Sequence, residues 1–183
     1  HVEEDAPKLD GERLYQAFVD LWAVSCAGTI EALIAVRGPE ITQRIEPFTR
    51  QLWERGRTVP AVVHLRGREF LARAARGMAA FLERYDLWLT PATGHPPPRI
   101  GAFGHLTGKA DDVLAQSAAF VPWTPIANLA GLPAMSVPLF WSEGLPMGAH
   151  FTARFGEESM LFRLAAQLEQ ARPWAGKRPS GLS

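Results

Sequence analysis

The residues whose types and spacing could do chemistry here are Trp123, Thr124 and Asn128. A side-chain amide both donates and accepts hydrogen bonds, so Asn128 either pins neighbouring loops or touches a ligand directly. The start of a helix offers free N–H groups, and an indole offers flat apolar area. Trp123 and Thr124 are therefore candidates for the wall of a substrate pocket, with plain core packing the alternative for Trp123. The serines are read as lying in a helix (Ser25, Ser159), a helix or loop (Ser117), a strand (Ser136), a turn (Ser142) and the tail (Ser180, Ser183). Ser136 sits between apolar neighbours with nothing nearby in sequence to take its proton, so it reads as a satisfied strand serine rather than a nucleophile. His1, His64, His95, His105 and His150 form no His-x-x-x-His or His-Glu-x-x-His pair, so a metal site would need distant residues to converge. A Gly-x-Ser-x-Gly elbow and a phosphate-cradling Gly-x-x-x-x-Gly-Lys are both missing. The residues thus suggest a binding surface, with no catalytic residue, metal or cofactor assigned.

The elements that must position this surface follow from local signals. Thr124 is expected to cap a short helix with Pro125 at its first position, where a missing N–H costs nothing. Gly131 suits the left-handed residue past its end, and Pro133 stops continuation. Ala134 to Leu139 has the size of a buried strand, Ser142-Glu143-Gly144 makes a turn, and Leu145 to Ala153 forms a second strand. Gly156 opens a helix in which Leu161, Leu164, Ala165 and Leu168 share one face.

Upstream, Asp10 caps a helix running to about Ala27, with Leu14, Phe18, Leu21, Trp22 and Ser25 on one side. Residues 29–36 either continue it or form a second helix, and Gly38-Pro39 breaks it. A short turn precedes Pro47, which starts a helix to Arg57. Thr58 is expected to cap the next, from about Pro60 to Arg84, with Val62, Leu65, Phe70, Ala74, Met78, Phe81 and Leu82 apolar and an arginine-bearing solvated face opposite. Asp86 to Thr90 is a short buried strand. The Thr93-Gly94-His95-Pro96-Pro97-Pro98 loop is held near polyproline II and reads as a rigid crossover rather than a ligand for an SH3-type domain. Lys109 to Ala119 is helical, and residues 173–183 form a tail packed by Trp174. The near-continuous apolar runs at 87–89 and 135–141 predict strands buried on both faces.

Composition bounds the reading. At 183 residues the chain is read as a single domain, 1–85 mainly helical and 86–172 carrying strands, crossover loop and helices. Lys+Arg and Asp+Glu number 19 each, a neutral balance that recruits neither nucleic acid nor an anionic membrane. The single cysteine, Cys26, excludes an internal disulfide and reads as a small buried hydrophobe. No leader and no long uninterrupted apolar run are evident, which suits a cytoplasmic setting.

The stretch from Phe120 to Ala171 resembles the C-terminal part of the amidase signature family. The resemblance rests on Trp123-Thr124-Pro125 with Asn128, Gly131 and Pro133. It extends through Ala134, Ser136 and Pro138, then Gly144-Leu145-Pro146-Met147-Gly148, then Leu164-Ala165-Ala166-Gln167-Leu168-Glu169. The look is closest to the branch containing 6-aminohexanoate-cyclic-dimer hydrolases. Ala127 and Leu132 depart from residues common in the family and branch, which bears on specificity. The resemblance implies an α/β fold, a mixed sheet flanked by helices, in an enzyme hydrolysing carboxamide C–N bonds. It places the Ser–Ser–Lys machinery upstream of His1, so this chain is expected to lack catalysis alone. It further implies a small-molecule amide substrate and, as partner, the N-terminal half of the same amidase or a second copy. The alternative is a non-catalytic scaffold or partner-binding domain derived from an amidase.

Overall fold

The computed structural model describes residues 1–104 and 108–178. His105, Ser180 and Ser183 lie outside them. The helices are α1 (Gly11–Arg37), α2 (Pro47–Thr58), α3 (Ala61–Leu82), α4 (Ala110–Phe120), α5 (Thr124–Ala130) and α6 (Glu158–Ala171), and the strands are β1 (Leu87–Pro91), β2 (Ala134–Ser142) and β3 (Leu145–Ala153). Two compact units form, each assembled from separated stretches: Leu9–Arg73 with Arg99–Ala118, and His1–Lys8 with Ala74–Pro98 and Ala119–Ser183.

The helical unit is built on the α1–α2 pair. The Asp10 carboxylate accepts from the Arg13 N–H at 3.1 Å, the expected cap. The helix runs unbroken past Ala27 to Arg37, where Gly38, at φ 86°, donates its N–H to the Ile34 carbonyl. Its buried residues are Leu14, Ala17, Val19, Ala23, Ala27 and Ile30, whereas Trp22 and Ser25 are exposed. The face is shifted from the expected one because small residues, not the largest, meet α2. A Cβ at Gly56 would stand 2.5 Å from the Ala23 carbonyl carbon and 2.8 Å from the Ala27 Cβ. Val19, Ala23, Leu52 and Leu114 form the core there, with Phe18, Phe48 and Cys26 against it. By length and composition alone α1 is long and apolar enough to cross a membrane, although Asp20 and Glu31 interrupt its apolar run.

Polar clamps complete this unit. Arg55 reaches Asp20 and Asp111, each at 3.0 Å, joining α1, α2 and α4. The Gln51 amide donates to the Gly108 carbonyl at 3.2 Å and accepts from the Ala110 N–H at 2.8 Å, satisfying a first-turn donor of α4. Pro47 starts α2 as expected, after a 3₁₀ segment at Pro39–Arg44. Thr58 does not cap α3. It ends α2, and its hydroxyl donates back to the Arg55 carbonyl at 2.8 Å. Val62 and Leu65, expected on an apolar face, are exposed.

The second unit carries the sheet, ordered β1-β3-β2. Both ladders are antiparallel, so β1 and β2 run the same way on either side of β3 without pairing. The α/β class holds, while the described ladders contain no parallel pair. The β2–β3 hairpin closes through Glu143 (φ 52°) and Gly144 (φ 77°), both left-handed as a type I′ turn requires. Val137, Leu139, Ala149, Phe151 and Ala153 pack with Leu161 of α6, and Leu164, Leu168 and Trp174 close over them. On the opposite side Trp88 meets Phe81 of α3 edge to face, centroids 6.3 Å apart. Burial on both faces is incomplete: Leu89 and Phe140 are each 54% exposed, because α6 covers only part of its face.

His1–Lys8 forms no strand. It is tied instead by the Tyr85 hydroxyl, which donates to Asp5 at 2.7 Å, and by Arg84 at 3.3 Å. The Tyr85 bond holds the Asp5 carboxyl below its ordinary range and pushes the Tyr85 pKa up to about 12.

The α1–α2 contact generates a direct test. Gly56→Ala forces a methyl into the backbone of Ala23 and should destabilise the chain by about 1–3 kcal/mol. Gly28→Ala, with nothing within 4 Å, should instead stabilise α1 by up to about 1 kcal/mol. Denaturant midpoints of the two variants moving the same way would refute the close-approach account.

Candidate functional site

Helix α5 positions the three residues singled out from sequence. It opens differently from expectation. Trp123 occupies the cap position and Thr124 is already helical, so the Thr124 side chain makes no capping bond. Pro125 sits in the first turn, as expected. The end matches expectation: Gly131 is left-handed at φ 67°, its N–H reaches the Asn128 carbonyl at 3.3 Å, and the Leu132 N–H reaches the Ala127 carbonyl at 3.0 Å. Thr124 and Asn128, one turn apart, share a side of the helix, while Ala127 is the buried residue. Trp123 and Thr124 are half-buried, and Asn128 is exposed. The Asn128 side chain makes no hydrogen bond among the described residues, so its amide does not pin neighbouring loops here.

The chain entering α5 is anchored beside the end of β1. The Gly94 N–H donates to the Phe120 carbonyl at 2.7 Å, and the Ala92 N–H to the Gly148 carbonyl at 2.9 Å. A Cβ at Gly94 would lie 2.6 Å from the Ala119 carbonyl oxygen, and the His95 ring packs 4.8 Å from that of Phe120. After α5, the Ala153 N–H donates to the Pro133 carbonyl at 3.0 Å, fixing the start of β2 beside the end of β3.

The sheet adds polar residues that the sequence does not bring together. Thr90, His150 and Ser136 lie in register across β1, β3 and β2. The Thr90 hydroxyl and His150 Nδ1 are 3.3 Å apart, and both residues are buried. Burial pushes the His150 pKa down, which favours the uncharged imidazole. Ser136 is exposed, its hydroxyl lying over Gly148, where an added Cβ would overlap it and approach the Ala92 Cβ to 2.8 Å. Two positions along from His150, the fully buried Thr152 hydroxyl has no hydrogen-bond partner. Ser136 is therefore not the satisfied strand serine expected, and a histidine is its cross-strand neighbour. Sequence reasoning missed the pairing because the partners are distant in the chain. The alternation within His150-Phe151-Thr152 was the available signal, polar residues falling on one side of the strand.

These elements have clear relatives. The Amidase family model matches residues 29–162. A putative amidase, AmiC, of Mycobacterium leprae is 44% identical over 107 residues, 57% of this chain and 22% of that protein. The 6-aminohexanoate-cyclic-dimer hydrolase of Paenarthrobacter ureafaciens is 32% identical over 198 aligned residues, 100% of this chain and 39% of that protein. A solved 6-aminohexanoate cyclic dimer hydrolase superposes with a TM-score of 0.78 at 25% identity, covering 100% of this chain and 40% of that one. A bacterial aryl acylamidase of the amidase signature enzymes, 19% identical with a TM-score of 0.76, shares the fold. The chain thus spans well under half the length of these proteins.

Two outcomes follow from the geometry. Asn128→Ala should leave the denaturation midpoint within about 0.5 kcal/mol of the parent, since an exposed side chain without partners has little to lose. A loss of about 1–3 kcal/mol would restore the bridging role. His150 gives the second. Its folded pKa lies below the ordinary value of about 6.5, so the unfolded chain binds more protons near that pH. Its contribution is present above pH ~6.5 and is lost as the pH falls through the lowered folded value. His150→Gln should flatten the fall in stability as the pH drops below the ordinary histidine value of about 6.5, and an unchanged slope would refute the burial argument.

Proposed function

The chain belongs to the amidase family, and on that premise we propose that it is the C-terminal part of an amidase, an enzyme hydrolysing carboxamide C–N bonds. The observation that carries this reading is the pairing of a family match over residues 29–162 with an alignment that uses all of this chain and only 39% of its 6-aminohexanoate-cyclic-dimer hydrolase relative. In this reading the Ser–Ser–Lys machinery belongs to the upstream portion. An activated serine attacks the amide carbonyl, backbone amides hold the oxyanion, and lysine moves the proton through the second serine. This chain contributes sheet strands and, through Trp123, Thr124 and Asn128, part of the pocket for a small-molecule amide, with no cofactor, in the cytoplasm.

The environment of the serines supports the division of labour. Among the described residues no serine hydroxyl hydrogen-bonds to a lysine or a histidine, and the Ser117 hydroxyl is engaged with the Val113 carbonyl at 2.7 Å. The exposure of Asn128, unpartnered here, suits a residue whose counterpart lies in the rest of the protein or in the substrate. Leu89, Phe140, Phe155 and Phe162 leave apolar area in water on the sheet unit, which favours an N-terminal half of the same amidase, or a second copy, as partner.

The purified chain should be silent toward a panel of simple amides and unlabelled by a serine-reactive fluorophosphonate. Turnover should appear on adding the separately expressed upstream polypeptide of the same amidase. Stoichiometric labelling of one serine in the chain alone, with turnover abolished by its replacement, would overturn the proposal. Silence after complementation with a folded upstream half would favour a non-catalytic scaffold.

A further inference from the structure

We infer that Gly94 is a positioning residue for the substrate pocket: it laces the exit of β1 to the entry of α5 and so sets where Trp123 and Thr124 stand. The inference rests on the amidase reading for what those two residues touch, and on backbone geometry for how they are placed. Helix α5 does not set its own orientation. It is seven residues long, Ala127 is its buried residue, and its first turn has no side-chain cap. Helices this short do not hold by themselves, so the segments at the two ends decide the position. At the exit, the Leu132 and Ala153 amides donate to the Ala127 and Pro133 carbonyls, each at 3.0 Å. At the entry, the Gly94 N–H donates to the Phe120 carbonyl at 2.7 Å, just ahead of Trp123.

The entry bond requires glycine. A Cβ at Gly94 would stand 2.6 Å from the Ala119 carbonyl oxygen and 3.6 Å from Pro122 Cδ. The nearer atom is backbone, so a methyl fits only if the loop or residues 119–122 move. The loop is held on both sides of Gly94. Before it, the Ala92 N–H donates to the Gly148 carbonyl at 2.9 Å, which carries the β1–β3 ladder one residue past Pro91. After it, Pro96, Pro97 and Pro98 fix their own φ angles and stiffen the chain. The His95 ring packs on that of Phe120, centroids 4.8 Å apart. Its Nδ1–H donates to the Pro96 carbonyl at 3.0 Å, since a carbonyl only accepts. A methyl at position 94 therefore displaces the entry to α5 rather than the loop, and Trp123 and Thr124 move with it. A pocket wall shifted in this way weakens substrate and transition-state binding alike, which raises KM and leaves kcat.

Two measurements test this. In the purified chain carrying ¹⁵N-indole tryptophan, Gly94→Ala should move the Trp123 indole resonance and leave those of Trp22 and Trp53 in place. Gly77→Ala, at another glycine of the sheet unit with nothing within 4 Å, should move none of the three. In the enzyme reassembled with its upstream polypeptide, Gly94→Ala should raise KM about five-fold or more with kcat within about two-fold, and Gly77→Ala should change neither. His95→Ala removes the ring packed on Phe120 without adding volume, which keeps the test open if Gly94→Ala does not fold. It should move Trp123 in the same selective way. An unmoved Trp123, equal movement of all three indoles, or a loss confined to kcat would each overturn the inference. Silence after reassembly bears on the amidase reading, whereas the indole shifts decide the positioning role in the chain alone. The two failures are therefore distinguishable.

Discussion

The sheet depends on a one-residue slip in the β2–β3 hairpin. Counting back from the turn, Ser142 pairs with Leu145 and Phe140 with Met147. A β-bulge at Pro138-Leu139 then inserts one extra residue in β2, after which Val137 pairs with Ala149 and Ser136 with His150. Without that insertion Ser136 would face Phe151, and Val137 would face His150. Side chains alternate with a period of two, so the slip decides which set meets α6. With it, Val137 joins Ala149, Phe151 and Leu161 in the apolar core, and the hydroxyl goes to the polar row. Proline is tolerated at such a place because a bulge on an edge strand frees one position from donating to the ladder.

The helical unit rests on a different constraint, the approach of two backbones. Gly56 lets α2 sit against the Ala23 carbonyl, so the buried stripe of α1 is made of Ala17, Ala23 and Ala27 between larger residues. Close packing then brings polar ends within reach: Arg55 lies between Asp20 and Asp111, and Gln51 takes up the start of α4. Exposed ion pairs contribute little individually, and here one guanidinium shared by two carboxylates links three helices.

Much of this was legible where the signal is local. Asp10, Pro47, Gly131 and the Glu143-Gly144 turn act through their own backbone, and each is found in its expected place. The Leu161, Leu164 and Leu168 stripe likewise follows from helical period. What failed needed a choice among partners. Thr58 and Thr124 both have the chemistry of a cap, but each falls inside a helix, one bonding the preceding turn and the other standing a residue too late. The α1 face was misplaced because hydropathy favours Trp22 and Leu21, whereas packing distance favours alanine. Asn128 has the chemistry of a bridge, but its exposed side chain makes no hydrogen bond among the described residues. Of the candidate site, the position of α5 was readable and the Thr90–His150–Ser136 row was not, since register across a bulged hairpin cannot be counted from sequence.

The chemistry of that row also constrains its role. Cleaving an amide requires a nucleophile with a base to take its proton and donors for the developing oxyanion. Ser136 and His150 face one another, yet they share no hydrogen bond, and the imidazole's Nδ1 is engaged with Thr90. Burial disfavours the imidazolium that a proton-accepting histidine must become, and no carboxylate stands in the row to stabilise it. The row is therefore a polar layer within the sheet, with its imidazole engaged by Thr90, and a poor general base.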